Sequence, residues 1–233
     1  MEESRQDMKI DSGVYPLYDR VRQDHAVSVY IGEQNKSMKA LHYTEHSFAH
    51  VGIVTRRTYT ILTTLGADAH ETDLALCAGW LHDIGNIVNR VDHSQSGALM
   101  AFQIMNRLGF AAEDIAPVIA AIGNHDEGHG VPIGPMSAAL ILADKSDVRR
   151  SRVQEPDPHE YDIHDRVNFS VTDTELTIDR EAGSICLELR IDTALSGVSD
   201  YFEIFLDRMR LCRRAAETLG LAFRLRINGQ LLM

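Results

Sequence analysis

The chain has 233 residues, 44% of them apolar and 24% charged, the make-up of a globular protein with one large domain or a domain and a small appendage. Its 34 acidic residues outweigh 23 basic ones for a formal charge of −11, which argues against a protein that coats nucleic acid or anionic membrane. No stretch holds the roughly 18 uninterrupted apolar residues of a membrane span, "MEESRQDMKID" has no apolar signal core, and Cys77, Cys186 and Cys212 sit in apolar runs that suit reduced thiols, so a cytoplasmic protein is expected.

Residues 14–40 carry a helical pattern (Val14, Leu17, Val21, Val27, Tyr30, Ile31). A stronger helix is expected over 44–65, with His50, Val54, Thr58, Ile61 and Leu65 on one face and Gly66 as its stop. Residues 70–84 follow as an apolar helix opened by Glu71, Thr72 and Asp73, carboxylates suiting its positive end. Further helices are expected over 94–108, stopped by Gly109, over 112–123 with Pro117 near its first turn, and from Ser137 through Ala139, Leu140, Leu142 and Ala143. To residue 153 this is a short-looped helical bundle.

The pattern then changes. "EPDPHEYDIHD" (155–165) reads as a connection rather than a site segment. Val167, Phe169 and Val171 with Leu176 and Ile178 form a weak strand pattern, and Ile185, Leu187, Leu189 and Ile191 a strong one. A helix over 198–219, stopped by Gly220, precedes a last strand with Phe223, Leu225 and Ile227. The expected fold is mainly α, a helical bundle (1–153, core about 40–150) followed by a small ββαβ unit (154–233). That unit closes the bundle or pairs two subunits through a sheet edge.

Six ionisable residues stand where helices should be buried. They are His50 (or His46, one turn earlier), the His82–Asp83 pair in "WLHDIGN", His93 opening "HSQSGA", His125 after "IAAIGN" and Asp144 after "AALILA". One buried histidine is ordinarily satisfied by a carbonyl. Six such groups would each cost about 1–3 kcal/mol if left unpaired, and a transition metal satisfies imidazole and carboxylate together.

The order His…His-Asp…His…His…Asp resembles the HD-domain superfamily of metal-dependent phosphohydrolases, and within it the two-metal subset related to the HD-GYP proteins. "WLHDIGN", "HSQSGA", "NHDEGHGVP" and "LADKSD" carry the likeness over roughly residues 40–150. The interval from residue 50 to residue 82 matches the first two motifs and favours His50 over His46. Asn86 and Asn124 stand where HD-GYP proteins have lysine and histidine, so cyclic-dinucleotide cleavage is not implied. The chain as a whole is similar to HD-domain proteins sharing "ADKSDVRRSR" and "DIHDRVN".

The resemblance implies a helical HD-type bundle with two divalent ions. One would be held by His50, His82, Asp83 and Asp144; the other by His93 and His125, with Asp83 bridging. Successive helical residues diverge by about 100°, which lets His82 and Asp83 address both ions, and the C-terminal end of a helix favours a cation. Histidine-rich sites without thiolate suit Fe, Mn, Co, Zn or Ni over Mg or Ca; the resemblance favours iron or manganese. Two ions about 3.5–4 Å apart can hold a bridging hydroxide for attack on a phosphomonoester or phosphodiester, a nucleotide among them. No glycine-rich phosphate loop or Ser-His-Asp set competes with that reading.

Around this centre, Lys145 is expected to neutralise phosphate and Arg149, Arg150 and Arg152 to bind it. Asp126, Glu127 and Asp147 would orient the ligands, and His129 would act as general acid. A small phosphorylated substrate is the expected partner, with no extended nucleic acid or membrane, and a homodimer is compatible. Two rival readings are a mixed-valent di-iron oxygenase using the same ligands and a non-catalytic nucleotide-binding regulatory domain.

Overall fold

The computed structural model describes residues 10, 11, 13–155 and 157–233; the signal-core reading of the N-terminal segment falls mostly outside them. Among the described residues it holds nine α-helices and a four-stranded sheet, the mainly α architecture expected. No helix among them is long and apolar enough to cross a membrane.

The 14–40 pattern is two helices, α1 (Pro16–Arg22) and α2 (His25–Ala40). Asp24 breaks them apart by capping α2, its carboxylate accepting from the Val27 amide at 3.0 Å. Next, α3 (Phe48–Leu65) starts four residues later than expected because Ser47 caps it, and it ends at left-handed Gly66. His46 therefore lies in the loop before α3 rather than on its face.

The fourth helix, α4 (Ala69–Leu81), is capped by Asp68 and buried at every residue from Thr72 to Leu81, the mark of a central helix. Asp73 does not serve the start of α4. It caps α1 instead, accepting from the Leu17 and Tyr18 amides at 3.0 and 2.7 Å. Helices α5 (His93–Arg107), α6 (Ala112–Gly123) and α7 (Pro135–Lys145) complete the bundle, with Pro117 inside α6 and Pro135 opening α7.

The largest departure lies between 158 and 170. Where a connection and the start of a strand were expected, a short 3-10 turn (Pro158–Glu160) leads into α8 (Ile163–Ser170). Asp162 nucleates α8 by accepting from the Asp165 amide at 2.8 Å, and Val167 is buried on its inner face. Of the five residues in the expected weak strand pattern, Val171, Leu176 and Ile178 lie in β1 (Val171–Asp179), while Val167 and Phe169 belong to α8. Then β2 (Ser184–Ile191) pairs antiparallel with β1, and β3 (Ala222–Ile227) pairs parallel with β2 after the crossover helix α9 (Val198–Thr218). A two-residue strand, β4 (Gln230–Leu231), is added to the expected ββαβ order. Tyr201, Phe205, Met209 and Cys212 form the buried face of α9, and α9 packs on α7 as well as on β3. All three cysteines are free.

Candidate metal centre

Helix α4 ends in the middle of the molecule, so His82 and Asp83 follow it into a fully enclosed position. The chain then turns tightly through Ile84–Ile87. Gly85 is obligatory in that turn, because a Cβ there would stand 2.0 Å from the His93 carbonyl oxygen. The missing side chain lets the first turn of α5 press onto the His-Asp pair and bring His93 to it.

Four imidazoles present Nε2 to the two oxygens of Asp83. His50 and His82 each stand 3.3 Å from Oδ2, while His93 and His125 stand 3.4 and 3.8 Å from Oδ1. Asp144 Oδ1 joins the first pair, 3.3 Å from His50 Nε2 and 3.6 Å from His82 Nε2. The opposite ring nitrogens are all committed. Nδ1–H donates from His82 to the Gly79 carbonyl at 2.9 Å, from His125 to Ile122 at 2.6 Å, and from His93 to Arg90 at 3.1 Å. His50 Nδ1–H donates to Asp147 Oδ2 at 2.7 Å. Each imidazole is thereby oriented with Nε2 facing inward, the nitrogen left to a metal.

The donor set fits metal ions. His50 Nε2, His82 Nε2 and Asp83 Oδ2 are buried with no hydrogen-bond partner, an arrangement proteins rarely leave unsatisfied. Ligand atoms on bonds of about 2.1 Å around one ion lie about 3–3.5 Å apart, close to the 3.3–3.8 Å seen here. Among the described residues, His50–His82–Asp83, Asp83–His93–His125 and His82–His125–Asp144 each bring three ligand atoms within 4.8 Å of one another.

The electrostatics agree. Burial opposes charge on His82, yet Asp83 and Asp144 outweigh it and hold its pKa at about 10. Burial raises the carboxyls of Asp83 and Asp144, but His82 and, for Asp144, Lys145 override it and keep both well below the usual range. Burial, His125 and Arg90 push His93 down to about 3. The Asp83–Asp144 side of the cluster attracts positive charge, and the His93 side offers neutral imidazole.

The cluster opens on a cavity of about 490 Å³. Of the residues expected to touch phosphate, Lys145 and Arg152 line it, but both are engaged. Lys145 Nζ sits 2.5 Å from Glu127 Oε2 and 2.8 Å from Asp144 Oδ2. Arg152 donates to the Asp147 and Glu45 carbonyl oxygens at 2.9–3.0 Å. Arg149 and Arg150 do not line the cavity: Arg149 pairs with Asp147 and Glu45, and Arg150 donates to the Phe169 carbonyl across that ring. His129 lies exposed on a separate groove between α5 and α6, outside the cavity, so the geometry gives it no route to the cluster.

Asp147 orients a ligand, but Asp126 approaches His93 (3.9 Å) rather than His125, and Glu127 holds Lys145 and Arg208. His46 Nε2 comes to 3.9 Å from Asp83 Oδ2, with Nδ1–H on the Thr44 carbonyl.

Arg90 and Arg208 also line the cavity, together with Asp162, His164 and Asp165 from the segment read as a connection and Asn168 from the stretch read as a strand. Arg90 had a local signal, three residues before His93. Arg208 had none, since its place depends on the docking of α9.

The HD domain family matches residues 50–161, a span that begins at His50 and takes in His82, Asp83, His93, His125 and Asp144. An uncharacterized protein of Methanocaldococcus jannaschii is 25% identical over 212 residues, 81% of this chain and 79% of its own length. A crystal structure described as a predicted HD superfamily hydrolase, from an uncultured Thermotogales bacterium, is similar at 24% identity and a TM-score of 0.42, covering 53% of this chain and 67% of that one. The segment that matches the HD domain thus contains every residue of the buried cluster.

Proposed function

We propose that the chain is a metal-dependent phosphohydrolase that cleaves a small phosphomonoester or phosphodiester in the cavity above the histidine cluster. The observation that carries this reading is the division of Asp83, with Oδ2 facing His50 and His82 and Oδ1 facing His93 and His125. A carboxylate shared between two imidazole sets suits two divalent ions, iron or manganese, with Asp144 completing the first set. Such ions, when bound, supply counter-charge to phosphate oxygens and lower the pKa of water.

The chain's own residues do the rest. Asp147 and three backbone carbonyls hold the imidazoles in one orientation, so the ligand set costs no reorganisation. Lys145 braces Asp144 and is itself braced by Glu127. Arg90 borders both the cavity and His93, with Nη1 3.1 Å from Nε2, and it has no carboxylate partner among the described residues. It is the cation left to receive a phosphate oxygen, whereas Lys145, Arg152 and Arg208 are already paired.

The test is phosphate release from a panel of mono- and diesters by protein loaded with Mn²⁺ or Fe²⁺, with Arg90→Gln alongside wild type. Turnover is expected, with KM raised about tenfold in the variant for loss of one charge-assisted contact. No turnover by metal-loaded protein overturns the reading. Oxygen uptake with an Fe(II)/Fe(III) resonance signal would move the centre to oxygenase chemistry.

A further inference from the structure

The two halves of the cluster differ in what their donor atoms already hold. His50 Nε2, His82 Nε2 and Asp83 Oδ2, all on the Asp144 side, are buried with no hydrogen-bond partner. On the other side the corresponding atoms are engaged. Asp83 Oδ1 accepts from Asn86 Nδ2 at 2.9 Å, and His93 Nε2 faces His125 Nε2 at 3.2 Å. Arg90 Nη1 stands 3.1 Å from the same His93 nitrogen.

Charge divides the same way. The Asp144 side has two carboxylates, and the cation beside it, Lys145, is matched by Glu127. The His93 side has one oxygen of Asp83 at close range, while Asp126 comes only to 3.9 Å of His93 Nε2 and is partly exposed. Against this side lies the Arg90 guanidinium, which has no carboxylate partner among the described residues. Asn86 braces it, accepting from Nη1 at 3.4 Å while donating to Asp83. Buried atoms without partners gain most from an ion, because nothing is given up when it binds. On the His93 side an ion must push the guanidinium off the imidazole, or bind against its positive charge.

We propose that the centre binds its two ions unequally and in order: the Asp144 side takes a tight ion first, and Arg90, braced by Asn86, keeps the His93–His125 side a weaker, exchangeable position. This rests on the reading of the cluster as a two-ion centre. It gives Arg90 a second task beside phosphate binding, because the guanidinium that an incoming ion displaces already lines the cavity. Binding of the second ion and of phosphate then favour each other, since either one draws Arg90 off His93.

The experiment is titration of the full, metal-free chain with Mn²⁺ alone, read by the electron resonance signal of the unbound ion. Wild type is expected to take up two ions whose dissociation constants differ at least about tenfold. His93→Gln should remove the weaker ion and keep the tight one, which places the two classes. Arg90→Gln should tighten the second ion about tenfold and leave the first within about twofold, because the guanidinium charge opposes mainly the nearer ion. Arg90→Lys keeps the charge and should keep most of the wild-type gap.

Two ions of equal affinity in wild type, or a single ion there, overturns the inference. So does an Arg90→Gln variant whose second ion is unchanged or whose two ions shift alike, an Arg90→Lys variant that behaves like Arg90→Gln, or loss of the tight ion in His93→Gln. The inference and the phosphohydrolase reading separate cleanly. Unequal ions in a chain that turns over no ester spare the former and sink the latter; ester turnover with two equal ions does the reverse.

Discussion

The cavity has a floor and a wall built on different principles. The floor is the histidine cluster at the ends of α4 and α6 and the starts of α3 and α5. Three of its four histidines are locked by a carbonyl three residues back in the chain. The wall comes from α8 and α9, and its cation Arg208 is placed by a distant partner, Glu127, across 81 positions. Short-range locks make the floor insensitive to how the wall docks, so floor and wall should fail in different ways when altered.

The largest effect is expected at the floor. Asp83→Asn removes the carboxylate that both histidine sets face, and metal affinity should fall by more than the ~100-fold upper end for outer-shell partners. Titration against a chelator with metal analysis reads this. Retention of two ions at wild-type affinity would break the floor half of the comparison.

At the seam between floor and wall, Glu127→Gln leaves Lys145 and Arg208 short of a counter-charge. Stability should drop by about 3 kcal/mol, the low end for a broken buried pair because Lys145 keeps Asp144. Denaturant unfolding of the metal-free chain measures it.

Asp147→Asn loosens His50 without removing a ligand, and should weaken metal binding about 10–100-fold. Because Arg149 and Arg152 keep contacts to Glu45, little stability should be lost. A large drop in unfolding free energy with unchanged affinity would assign Asp147 to packing instead.

Far from both regions, Asp24→Ala serves as the control and should cost about 1 kcal/mol through the lost cap of α2. Asp24 also pairs with Arg107 at 2.8 Å, and that partner holds its carboxyl below the usual range. A depressed carboxyl stabilises the fold above the unfolded-state pKa of about 3.9. The charge-dependent part of the penalty should therefore be full at neutral pH and fade as pH falls below about 4. Unfolding curves at pH 7 and pH 3 test the sign.

Legibility in the sequence divides along the same line. His82, Asp83, His125 and Asp144 could be read because they follow apolar runs, where an imidazole or carboxylate has no ordinary reason to be, whereas His93 was reached through its motif. Helix α8 was misread because Val167, Phe169 and Val171 alternate by accident. The helical signal was present, with Ile163, Val167 and Ser170 recurring at intervals of four and three behind the cap at Asp162. The basic run at 149–152 looked like a phosphate site because charge alone does not reveal a partner. Arg149 is held by Glu45, which lies 104 positions away. The break at Asp24 and the role of Asp73 were hidden for the same reason, since a cap and a first-turn carboxylate look alike until the neighbouring helix is in place.

The locked imidazoles carry one more consequence. In small zinc modules the ion templates the fold, and chelation unravels the chain. Here the ligand rotamers are set by helix ends and a buried carboxylate, beside an extensive apolar core built from other residues. Chelation is therefore expected to leave the scaffold folded, and the site is expected to accept more than one kind of divalent ion.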